Sequence, residues 1–168
     1  MTGTAGPRDP RPFGVAVFLV ADGLFFFAAL YICLYVRRGV ASWPDVAAPL
    51  VLSALAPGVA VGSVAAAALA RARLKSLLWP LAGAVAALAL VAATLLDAAS
   101  RGLHYGTGRY GTVVWAVSTV WALQVAVAVG ILAAALFRGR APEQARGVGS
   151  FLWFLAAAGA VVLGAVFL

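Results

Sequence analysis

Apolar residues run in long blocks along this chain, and polar residues gather in short clusters between them. Five such blocks lie at about 13–36, 49–70, 77–99, 112–137 and 148–168. Each can cross a bilayer as a helix, because about 20 residues at about 1.5 Å rise span a hydrocarbon core roughly 30 Å thick. The pattern predicts an all-α polytopic membrane protein, a five-transmembrane-helix bundle without a β-sheet. Residues 1–12 read as a polar, Pro-rich arm and residues 13–168 as a single membrane domain. The first block exceeds the about 7–15 residue core of a signal peptide and is read as retained.

The punctuation between blocks supports these boundaries. Arg37, Arg38 and Gly39 close the first block, and Trp43-Pro44-Asp45 makes an interfacial anchor and turn. In the second block small residues fall at Ala54, Gly58, Gly62 and Ala66, a four-residue repeat that lets a neighbouring helix approach closely. Pro57 should kink this helix and free the carbonyl of Ser53. The third block opens with Trp79 and Pro80, and at its far end Asp97 and Arg101 have the spacing of a helical ion pair. The Gly-rich stretch 102–111 lacks the order of a phosphate-binding loop and reads as a connector, with His104 solvated or at an interface. Ala156, Ala160 and Gly164 repeat the small-residue spacing in the fifth block.

One residue breaks the apolar pattern deep inside a block. Asp22 lies about nine residues into the first block, some 13 Å from its entering end, too deep for a short side chain to reach the interface. Placing a carboxyl there costs roughly 2.5–3.5 kcal/mol on insertion scales, so a neighbouring helix should compensate it. Its helical neighbours Phe18, Phe25, Phe26 and Ala29 offer little hydration. Two polar residues on other blocks lie near that depth. Ser63 is about seven residues from Ala70, roughly 10 Å, and is the first choice as partner; Gln124, about 13 residues from Phe137 or roughly 20 Å, is the second. The alternatives stay open that the Ser63 hydroxyl bonds its own helix backbone, and that Asp22 bonds only its own helix or a lipid headgroup.

Composition removes several function classes. Hydrophobic residues make up 65% of the chain and charged ones 10%. The formal charge of +7 comes from clusters between blocks, as topogenic signals do, and argues against nucleic acid as a partner. With five spans, Arg8, Arg11, Arg71, Arg73, Lys75, Arg138, Arg140 and Arg146 share one side; Arg37, Arg38, Arg101 and Arg109 share the other. Eight against four puts the amino terminus in the cytoplasm and the carboxyl terminus outside. Cys33 is the only cysteine and His104 the only histidine, so neither a metal site nor a haem site is expected from this chain alone. No nucleophile with a base stands out, and no catalytic centre is expected.

The order Phe-Leu-Val-Ala-Asp-Gly-Leu-Phe-Phe-Phe from Phe18 to Phe27, then Ala28, Ala29, Tyr35 and Arg37, carries a resemblance. It resembles the helix of cytochrome c oxidase subunit III that reads Phe-Ile-x-Ser-Glu-x-x-Phe-Phe and ends in a Tyr and an Arg. Asp22 stands where the family has Glu, one methylene longer. Five helices in this orientation look like the short bacterial form of that subunit. The run Tyr110-Gly111-Thr112-Val113-Val114-Trp115 is similar to the family's Tyr-Gly-Ser-x-Phe-Tyr. The family continues with Gly-x-His-x-x-His-Val, whereas Trp121 and Gln124 replace both histidines here. Trp153-Phe154 and the final Phe167-Leu168 are similar to the family's last helix, without its His and Asp. The match covers all five blocks as a hydropathy frame and two of them as motifs.

The resemblance implies a divergent, non-catalytic accessory subunit of a respiratory haem-copper terminal oxidase in the bacterial inner membrane. Its partners would be the catalytic subunit I, the other oxidase subunits and membrane phospholipid. Haem and copper would sit in those partners, with no cofactor bound by this chain. The implied role is packing, lipid binding, and support of proton uptake and enzyme lifetime, with Asp22 the residue that inherits a family role. Two other readings are kept: the equivalent subunit of a nitric oxide reductase, and a small proton-coupled transporter or channel using Asp22.

Overall fold

The computed structural model describes residues 11–39, 56–65, 78–137 and 141–167. Among them the chain forms α1 (Arg11–Arg38), α2 (Ala56–Ala65), α3 (Leu78–Ser100), α4 (Arg109–Phe137) and α5 (Ala141–Phe167), with no strand. Four of these, α1, α3, α4 and α5, are long and apolar enough to cross a membrane. The protein is an all-α membrane bundle. Helix α2 is the described part of the second block; Ala54, Ala66 and Ser53 lie outside the described residues, as do Trp43-Pro44-Asp45 and the basic cluster at 71–75. The kink expected at Pro57 would bend the turn before it, which also lies outside them; Pro57 itself is buried in the first described turn.

Local chemistry explains the helix ends. Pro12 and Pro142 stand second in α1 and α5, where a missing N–H removes no helical bond. Helix α5 therefore starts at Ala141, earlier than the apolar block suggests. Arg37 and Arg38 occupy the last turn of α1, the negative end of its dipole. Helix α3 stops in a Schellman turn: Leu103 N–H donates to Ala98 O at 2.9 Å and Gly102 N–H to Ala99 O at 2.9 Å, with Gly102 at φ 82°. Asp97 and Arg101 form the expected ion pair beside it at 3.0 Å, with both side chains about half exposed.

The connector 101–108 is a built turn. Trp115 Nε1 donates to Leu103 O at 2.6 Å, and the Thr107 hydroxyl donates to His104 O at 2.6 Å. Gly111 lets this turn pass, since a Cβ there would lie 2.7 Å from His104 O. His104 itself is exposed.

The helices alternate in direction. The Arg109 guanidinium, at the start of α4, lies against Gly39 at the end of α1. Phe18 and Phe151 rings meet edge-on at 5.2 Å, which sets α1 parallel to α5. Helix α4 is central, packing on α1, α3 and α5. Against α5 its fully buried Trp121 donates from Nε1 to Leu155 O at 2.8 Å. Gly159 makes that possible, because a Cβ there would come within 2.8 Å of Trp121 Cε2.

The four-residue stripe of α2 meets α5. A Cβ at Gly58 would lie 3.5 Å from Ala156 O and 3.6 Å from Ala160 N, and one at Gly62 would lie 3.4 Å from Ala156 Cβ. Gly164, one turn further, is half-buried. The other side of α2 rests on α3, where Gly83 admits Val64. Helix α1 is covered on one side only: Leu24, Phe27 and Tyr31 on the other are 66%, 68% and 66% exposed, a surface suited to lipid or a membrane partner.

Candidate functional site

Helices α1 and α4 bring two intramembrane polar residues together. Asp22 is 9% exposed on the covered side of α1. Gln124 Nε2 donates to Asp22 Oδ1 at 2.7 Å, a short bond to a strong acceptor. Both residues lie several turns from the ends of their helices. The second-choice partner is therefore the one observed.

Ser63, the first choice, is not the partner. Its hydroxyl donates to Ala60 O, 2.7 Å away on its own helix, and its side chain is exposed. The reason is rotation about the helix axis. Helix α2 turns Gly58 and Gly62 toward α5, and Ser63, about 100° further round, then points away from the bundle. Depth counted along each helix ranks Ser63 ahead of Gln124, and azimuth reverses that order.

The aromatic surround also differs from expectation. Phe26 is buried and meets Phe154 edge-on at 6.0 Å, and Ala29 is half-buried. Phe18 and Phe25 stand on the flanks, 54% and 47% exposed. Between α1 and α4 lies an apolar groove of about 290 Å³ walled by Phe25, Phe26, Ile32, Val113, Val117 and Val120. Its wall contributes almost no polar surface.

Two buried oxygens at the junction, Asp22 Oδ2 and Gln124 Oε1, accept no hydrogen bond. A carboxamide neither gains nor loses a proton in ordinary conditions, so Asp22 is the member of the pair that can exchange one. Among the described residues no three His, Cys, Asp or Glu side chains come close enough to hold a metal ion. Cys33 is buried and unpaired.

Sequence reasoning missed the weight carried by Trp121. It entered only as a residue standing in place of a histidine, whereas it fills the α4–α5 contact and satisfies its indole N–H there. The signal available was Gly159, a lone glycine between Ala158 and Ala160, but nothing in one sequence pairs it with Trp121.

No family model matches the chain, and no curated protein matches it.

Proposed function

We propose that this chain is a non-catalytic accessory subunit, of the subunit III kind, in a respiratory haem-copper terminal oxidase of a bacterial inner membrane. It packs on the catalytic subunit, binds phospholipid, and supports proton uptake and enzyme lifetime, with its amino terminus in the cytoplasm. What supports the reading above all is the Asp22–Gln124 hydrogen bond. Asp22 stands where the family has its Glu and Gln124 where it has its second His, and these two substituted positions touch across α1 and α4. The uncovered apolar side of α1 is consistent with a membrane partner.

The test is to purify the tagged chain from its own membranes in mild detergent. Co-elution with a haem-bearing polypeptide that consumes oxygen is expected. A pure chain without Soret absorbance would sink the proposal, and a partner that reduces nitric oxide instead would move it to that enzyme. The transporter reading draws on a single observation, the unpartnered Oδ2 of an intramembrane acid. Proton flux through vesicles holding the isolated chain, abolished in Asp22→Asn, would favour it.

A further inference from the structure

The Gln124–Asp22 bond uses one amide hydrogen and one carboxyl oxygen. It leaves Asp22 Oδ2 and Gln124 Oε1 buried without a donor. An ionised carboxylate only accepts, and so does an amide oxygen, so with Asp22 ionised both oxygens need a hydrogen from elsewhere.

Among the described residues no side chain donates to either oxygen. No Lys, Arg or His occurs between Arg11 and Arg37, between Arg109 and Arg138, or after Arg146. On α4 the Trp121 N–H is committed to Leu155 O. On α2 the Ser63 hydroxyl is committed to Ala60 O, and on α3 the Thr94 hydroxyl is committed to Leu90 O. A buried water in their place would need about 2–4 polar partners, and the neighbouring groove between α1 and α4 is apolar. It would also leave a net charge in the bundle with no counter-ion among the described residues.

One hydrogen resolves both vacancies. We propose that Asp22 is held as a neutral carboxylic acid whose Oδ2–H donates to Gln124 Oε1, closing a two-bond acid–carboxamide ring between α1 and α4. Both groups are planar and already joined at one corner by a 2.7 Å bond, and closure turns the Asp22 Oδ2 toward the Gln124 Oε1. The ring makes the junction a proton-holding site: its proton leaves only when the second hydrogen bond breaks, and the departing proton uncovers a buried charge. This holds whichever complex the chain serves.

The experiment is infrared absorption of the full chain in phosphatidylcholine vesicles at neutral pH, with and without ¹³C at the aspartate carboxyls. A protonated-carboxyl C=O stretch is expected in wild type, shifted by the label and absent in Asp22→Asn. In Gln124→Leu that band should survive at higher frequency, because its carbonyl loses the amide donor. Labelled aspartates that show only carboxylate bands in the wild type would overturn the proposal, with no variant required. A band retained in Asp22→Asn, or one unmoved in Gln124→Leu, would overturn the assignment to Asp22 or the ring.

Discussion

Helix α4 makes two very different contacts on its two sides. Against α5 it inserts Trp121, fully buried, over the bare backbone of Gly159, with the indole N–H satisfied by Leu155 O. Against α1 it offers Gln124 to Asp22, beside an apolar groove of about 290 Å³ and with two buried oxygens left over. The first contact is shape with one hydrogen bond added; the second is a hydrogen bond with little shape around it. Dispersion packing is the dominant attraction between helices in lipid, which makes the α4–α5 side the structural spine. The α1–α4 side is where a polar group is tolerated, and there function can be placed.

Breaking the spine should have the largest effect. Trp121→Ala removes a fully buried side chain and its hydrogen bond, and a loss of about 3–5 kcal/mol is expected. Gly159→Leu should be comparably damaging, since its first carbon already overlaps the indole. Thermal unfolding in detergent checks both, and wild-type melting in either would show that the spine is elsewhere.

The contact of α2 with the same helix α5 comes next. Gly58→Leu or Gly62→Leu drives bulk onto Ala156 and Ala160, with an expected cost of about 1–3 kcal/mol. Retained stability and assembly in both variants would remove the small-residue stripe from the packing account.

Breaking the polar side should matter less to stability. Gln124→Leu deletes the donor to Asp22, and about 1–2 kcal/mol is expected from model transmembrane hydrogen bonds. Asp22→Asn can still pair with Gln124, so assembly should survive, and if the proposed oxidase role holds, its turnover or inactivation rate should change. Wild-type rates in that variant would reduce Asp22 to a structural residue. The exposed Asp97–Arg101 pair sets the lower bound of the series: Asp97→Asn should shift stability by less than about 0.5 kcal/mol and less still in high salt.

Element type and membrane class were legible because they depend on long runs of one-dimensional pattern. The blocks at 13–36, 77–99 and 112–137 became α1, α3 and α4 with ends displaced by a few residues. The fifth block extends toward its amino terminus in α5, because Pro142 stands in the first turn, where its missing N–H costs no helical bond. Asp22 stood out because a carboxyl is expensive in lipid wherever its neighbours lie, and the i, i+4 spacing alone identified the Asp97–Arg101 pair.

What the sequence by itself determined is therefore the set of apolar helices and the buried acid Asp22 among them, since hydropathy, charge and spacing are properties of the chain read in order. Only the tertiary structure decided that Gln124 and not Ser63 reaches Asp22, and that Trp121 seats on Gly159. Both depend on how far each helix is rotated about its own axis. That rotation is set by the best fit of surfaces summed over all neighbours, and an apolar helix in lipid has no polar face to reveal it beforehand.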